Sequence, residues 1–330
     1  MTKDMMPNFS LFQPTTVNDA ISLLSKYEEN SWKLSGGQDS YDWFKDRAKN
    51  PEVIVDLNEI TELKGITEKE EYIEIGASTT LTEIVNNNVI KENFSLLSHS
   101  AERVASPQIR NAGSIGGNLC QDARCWYYRA GLDCYRAGGN TCYADTPEGM
   151  NREHCLFGAS RCVAVTPSDC ATAITALDAT LIVVGPKGER EVKAEDFFIG
   201  PEKNITRMTV VESNEILTSI HLPKKWAKAK FYFEKVADRN TWDFALVNIA
   251  CSKIIENNII KDIRIVLGGV SCIPMRLTAC EDIARESAAD EETANLSGSL
   301  AARGATPLNY NHFKVPLMEN LVKRAIRNKA

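Results

Sequence analysis

Seven of the ten cysteines, Cys120, Cys125, Cys134, Cys142, Cys155, Cys162 and Cys170, fall in one stretch of the chain between positions 120 and 170. Thiolates are the ligands that zinc and iron–sulfur clusters both require. Zinc sites usually carry close Cys-x2-4-Cys pairs, which are missing here, whereas Cys125, Cys134, Cys142 and Cys162 follow one another at wide spacings. Spacing alone leaves a cluster, zinc and unliganded thiols open. The segment is rich in Gly, Asn, Asp and Arg with little apolar periodicity, so it buries little surface and needs an internal staple to be ordered.

Two glycine turns offer a second chemistry. One is Lys33-Leu34-Ser35-Gly36-Gly37-Gln38-Asp39-Ser40-Tyr41, and the other is Gly113-Ser114-Ile115-Gly116-Gly117-Asn118, which leads into the cysteine segment. Glycine permits positive φ and removes side-chain bulk, so successive backbone N–H groups can converge on an anion such as a pyrophosphate. Two such turns in one chain suggest one diphosphate-bridged cofactor.

These residues must be positioned by a sizeable scaffold, and 330 residues suffice for two or three lobes around a substantial core. Helix signals occur at 15–27, where Thr16 is the expected cap and Asp19 stands three residues on, and after Thr80, with Glu83 in the same relation. Further helices are expected at about 94–105, 171–177, 277–287 and 314–327. Apolar or alternating runs at 53–57, 72–75, 181–184, 215–223, 230–235, 245–255 and 259–267 read as strands, the last two joined as a hairpin by Glu256-Asn257-Asn258. The acidic stretch 281–294 reads as a solvated face.

The net charge of −6 carries no basic block, which argues against nucleic acid as a partner. No run approaches the roughly 18 apolar residues of a membrane span, and residues 1–8 lack the apolar core of a signal peptide. A cytoplasmic protein is expected, in which clustered cysteines serve metal rather than disulfides.

Ser35-Gly36-Gly37-Gln38-Asp39, Ser114-Ile115-Gly116-Gly117-Asn118 and Pro167-Ser168-Asp169 together resemble the phosphate loops and ribityl-side aspartate of FAD subunits in the molybdenum hydroxylase (xanthine dehydrogenase) family. The resemblance spans nearly the whole chain. It implies an α+β protein: a two-lobed FAD-binding domain of the PCMH type (vanillyl-alcohol oxidase-like) over 1–223, with lobes at about 1–58 and 59–223. A C-terminal α/β sandwich domain of the CO dehydrogenase flavoprotein type would follow over 224–330. Both turns would hold the cofactor, from Lys33 to Tyr41 and from Ser114 to Asn118, with Thr79 near the phosphates and Val104 against the cofactor. Leu217, in the strand 215–223, would run beneath the flavin, and Lys235 would stand near its ring. Read by themselves, Val104 is a core valine, Thr79 a cap-region threonine, Asp169 a helix cap and Lys235 a strand-end lysine.

Arg124-Cys125-Trp126-Tyr127-Tyr128, Asp133-Cys134, Thr141-Cys142 and Arg161-Cys162 are similar to the four-cysteine insertion, here 120–162, that carries a 4Fe-4S cluster in the flavin subunit of 4-hydroxybenzoyl-CoA reductase and in bacterial aldehyde oxidoreductases. Cys125, Cys134, Cys142 and Cys162 are the ligands this implies. Cys155 makes a fifth candidate and is assigned as spare. The family implies partners: a molybdopterin-binding large subunit and a small subunit with 2Fe-2S clusters, in a dimer of heterotrimers, with ferredoxin or NAD as external electron carrier. Two other functions compete, a zinc-stabilised structural subunit with degenerate flavin turns and an independent FAD oxidoreductase. The latter needs its own acid/base constellation, and the four histidines, 99, 154, 221 and 312, form no evident grouping.

Overall fold

A computed structural model describes residues 6–227 and 229–327. Three strands open the chain, β1 (Ser10–Phe12), β2 (Ser31–Leu34) and β3 (Val53–Asp56), and pair parallel in the order β1-β3-β2. The helix Val17–Tyr27 packs on them with Ala20, Ile21 and Leu24 buried, and Thr16 caps it by accepting from the Asp19 N–H. The first glycine turn leaves the end of β2.

Five antiparallel strands form the second sheet: β4 (Ile66–Glu68), β5 (Tyr72–Gly76), β6 (Thr180–Gly185), β7 (Gly188–Lys193) and β8 (Ile216–Pro223), in the order β4-β5-β8-β6-β7. Short helices cover one face. That of Leu81–Asn86 begins in a full capping box, with Thr80 and Glu83 each bonding the other's backbone N–H. Phe94, Leu96, Leu97, Ile115, Ile174 and Phe197 seal this core, each large side chain contributing about 1.5–3 kcal/mol of burial.

The remaining strands, β9 (Lys230–Val236), β10 (Val247–Glu256), β11 (Ile259–Gly268) and β12 (Met275–Arg276), form an antiparallel sheet ordered β12-β11-β10-β9. Asn257 and Asn258 both have positive φ, which gives the β10–β11 hairpin a turn matched to the strand twist. Helices Thr278–Ala284 and Lys314–Arg327 lie on this sheet, and Glu291–Ala301 packs against both of them. This third helix corrects the expectation of a solvated acidic face: Asp290 caps it, and Ala294, Ser297, Gly298 and Ala301 are buried. Small side chains there allow close packing without an apolar stripe. Among the described residues no helix is long and apolar enough to cross a membrane.

Candidate functional site: a flavin cleft with a cysteine cavity behind it

A cleft of about 1590 Å³ runs between the two glycine turns and on toward the cysteine segment. Its wall includes Lys33, Ser35, Gly37, Gln38, Asp39, Ser40, Tyr41, Val104, Ser114, Gly116, Gly117, Asn118, Asp169 and Leu217. Leu34, Gly36, Thr79, Ile115 and Lys235 stand behind that wall rather than on it.

The two turns work differently. Gly36 and Gly37 both adopt φ of +74°, and among the described residues no backbone or side-chain acceptor takes the N–H groups of residues 36–40. Unpaired donors along a positive-φ turn are an anion-binding concavity. In the second turn Gly113, Gly116 and Gly117 all have negative φ, contrary to the expectation of a second nest. Here the chain forms the helix Ile115–Cys120, with Ser114 Oγ accepting from Gly117 N and Gly116 N donating to Ala77 O. The glycines serve by size. A Cβ on Gly116 would lie 2.8 Å from Ala77 O, and one on Gly117 would lie 3.2 Å from Ser35 O, so both turns touch. Ser35 and Ser114 bond hydroxyl to hydroxyl at 2.9 Å across that junction.

Several side chains are held by protein partners. Lys33 Nζ donates to the carbonyls of Glu212 and Glu215, and its burial lowers its pKa to about 8. Thr79 Oγ1 bridges the N–H and carbonyl of Gly65. Asn118 Oδ1 accepts from Ser168, and Ser168, not Asp169, caps the helix Asp169–Ala176. Asp169 is freed to face the cleft. Its Oδ2 receives Lys235 Nζ at 2.5 Å and its Oδ1 receives Asn248 at 2.7 Å. Burial raises its pKa, against the pull of Lys235. Lys235 also donates to the carbonyls of Arg103 and Asp243. Its ammonium is thus held by Asp169 and these two carbonyls.

Behind the cleft, Cys125, Cys134, Cys142 and Cys162 all line one small cavity with Tyr127, Tyr128, Tyr135, Arg136 and Tyr143. Cys155 is absent from this wall. It packs instead with Val163, Val165 and Cys272, and Cys272 Sγ donates to Ala164 O at 2.7 Å. Burial pushes the Cys125 thiol up to about 12 and raises those of Cys142 and Cys162. Among the described residues no three His, Cys, Asp or Glu side chains converge as ligands of a single ion. A tetrahedral zinc with Zn–S bonds of 2.3 Å would draw its sulfurs to within about 3.8 Å of each other. A four-iron cube binds one thiolate at each of four iron corners and therefore tolerates wider separation.

Charge staples the insert. Asp122 receives Arg136, Tyr128 and the Ala123 N–H. Its burial acts to raise its pKa, but Arg136 and Lys49 outweigh that and hold it below the usual carboxylate value. Arg124 pairs with Glu153, and Arg129 with Asp39. One histidine escaped the sequence reading. His154 Nε2 lies 3.3 Å from Cys125 Sγ although 29 positions separate them, and burial lowers its pKa to about 4. No local motif marks it.

A long cleft roofed by an anion-ready turn, on three sheets with helices segregated to their faces, defines a two-lobed flavoprotein architecture. Residues 7–225 match the family described as the FAD binding domain in molybdopterin dehydrogenase, and residues 232–328 match the CO dehydrogenase flavoprotein C-terminal domain. The aldehyde oxidoreductase FAD-binding subunit of Escherichia coli K12 is 31% identical over 259 residues, 75% of this chain and 77% of that protein. The carbon monoxide dehydrogenase medium chain of Hydrogenophaga pseudoflava is 28% identical over 270 residues, 82% of this chain and 77% of that one. A solved carbon monoxide dehydrogenase from the same organism superposes with a TM-score of 0.77 at 25% identity, covering 98% of this chain and 97% of that chain. The chain therefore belongs to the FAD-binding subunits of the molybdenum hydroxylases, a family of oxidoreductases.

Proposed function

We propose that this chain is the flavin and iron–sulfur electron-transfer subunit of a heteromeric molybdenum-dependent hydroxylase, dehydrogenase or reductase. It would exchange electrons between 2Fe-2S clusters on a small subunit and an external carrier such as ferredoxin or NAD, with the molybdopterin on a large subunit. The assembly would be a cytoplasmic dimer of heterotrimers, and 1–223 and 224–330 its two domains. FAD, when bound, accepts an electron pair and can release its electrons singly, which joins one-electron to two-electron carriers.

The observation that carries the reading is the position of Cys125, which lines both the cleft and the cysteine cavity. Backbone N–H groups of residues 36–40 would bind the pyrophosphate, and Asp169, fixed by Lys235 and Asn248, would accept from ribityl hydroxyls. Thiolates of Cys125, Cys134, Cys142 and Cys162 would hold a four-iron cluster. The isolated-oxidoreductase reading finds no support in the histidines, since His154 is buried against Cys125 and His221 stacks on Tyr72.

Anaerobic purification followed by flavin and iron analysis tests this. About four irons per FAD, with a broad visible shoulder beneath the flavin band, are expected. A yellow protein without iron removes the cluster, and a colourless zinc protein removes both cofactors.

A further inference from the structure

His154 is buried, with 1% of its surface exposed. Its Nε2 faces Cys125 Sγ at 3.3 Å, and its Nδ1 has no hydrogen-bond partner. The backbone beneath it is fixed from the C-terminal sheet and helices: Lys314 Nζ and Asn311 Nδ2 donate to its carbonyl at 3.0 and 3.1 Å. Lys314 also holds the carbonyl of Gly269. The backbone that carries the ring is therefore held by contacts outside the cysteine segment.

A ligating thiolate carries no proton. The hydrogen bond available between these atoms then runs from Nε2–H to sulfur, which selects that tautomer and leaves the Nδ1 lone pair as the unpartnered group.

We propose that His154 is a positioning residue that donates Nε2–H to the sulfur of Cys125 and thereby raises the reduction potential of the cluster bound there. The inference rests on the cluster reading above. Hydrogen bonds to ligand sulfurs disperse the extra negative charge of the reduced cluster and so favour reduction. Of the four thiols in the cavity, Cys125 alone also lines the flavin cleft. The bond thus acts on the sulfur that faces the flavin.

The test is a redox titration of the purified protein followed by paramagnetic resonance, with iron and FAD counted in each sample. His154→Leu removes the donor and is expected to move the cluster midpoint to more negative potential with iron retained. His154→Gln, whose amide can reach the same sulfur, is expected to restore most of the shift. In wild-type protein labelled with 15N-histidine, pulsed resonance should detect a nitrogen coupling and an exchangeable proton on the cluster, and this needs no variant. An unmoved midpoint in His154→Leu overturns the proposal, as does a missing nitrogen coupling in wild type. Wild-type protein without iron is a different result, because it removes the cluster reading itself and this inference with it.

Discussion

Asp39 and Arg129 form an ion pair of 2.8 Å that ties the first glycine turn to the cysteine segment. Asp39 also accepts from Trp43, and Arg129 donates to the carbonyls of Ala123 and Asp122 while its guanidinium covers the Trp43 ring at 4.4 Å. The first glycine turn and the insert therefore share one anchor. Asp39→Ala and Arg129→Ala should each lower stability by about 1–2 kcal/mol, the cost of a half-buried charge losing its partner. The double variant should cost little more than either single one, as denaturant unfolding would measure; additive losses would show that the pair is uncoupled.

Gly36 has φ of +74°, and a Cβ there would lie 2.2 Å from Ala112 O. Gly36→Ala should therefore abolish flavin retention and destabilise the fold, since a backbone oxygen cannot step aside as a side chain can. Gly65, with φ of +97° and open space around it, is the control; Gly65→Ala should cost about 1 kcal/mol from conformation alone and keep its flavin. Gly37→Val and Gly117→Val should fold without FAD.

Removing Asp169 strands a buried ammonium. Asp169→Ala should cost about 3–5 kcal/mol because Lys235 is left charged in the interior. Adding Lys235→Met should recover part of that loss, and a double variant as unstable as the single one would contradict the account. Urea midpoints decide.

Serine at Cys125, Cys134, Cys142 or Cys162 should lower iron content or leave a damaged three-iron signal, while FAD largely remains. Serine at Cys155 should leave the iron:flavin ratio nearly intact, because that thiol packs with Cys272 and does not line the cavity. Iron lost from Cys155→Ser and kept in Cys162→Ser would exchange the two assignments.

Lys314 is fully buried, and burial lowers its pKa from 10.5 to about 7. Between those values the unfolded chain binds the proton and the native chain does not, so stability rises with pH across this window. Below it both states are protonated and the burial penalty is fully present. Wild type should therefore gain on Lys314→Met as pH climbs from about 7 toward 10.5, read as urea midpoints at several pH values. A constant difference would contradict the shift.

Local signals were legible in the sequence. Thr16, the Thr80–Glu83 box and the Asn257-Asn258 turn act within a few residues of themselves, and the structure has each where it was expected. The helix Glu291–Ala301 was not legible, because its buried face is Thr293, Ala294, Ser297, Gly298 and Ala301 rather than large apolar residues. Within the site, the glycines of the second turn were read for both smallness and positive φ, and the fold uses only the smallness. Ser168 took the cap that Asp169 could equally have filled. His154 meets Cys125 across 29 positions, and its carbonyl is held by Asn311 and Lys314 far along the chain, a relation that no window of sequence contains.

Asn311 and Lys314 also bear on how the chain can be divided. The two family matches part between residues 225 and 232, which invites expression of each half alone. Yet the carbonyls of His154 and Cys155 receive their donors from Asn311 and Lys314, and Leu156 N donates to Val270 O. A fragment ending near 225 would expose these groups together with the apolar bed beneath the insert, and a graft of the insert onto another flavoprotein would need the matching C-terminal residues carried with it. The cysteine segment is a graft with two rootstocks.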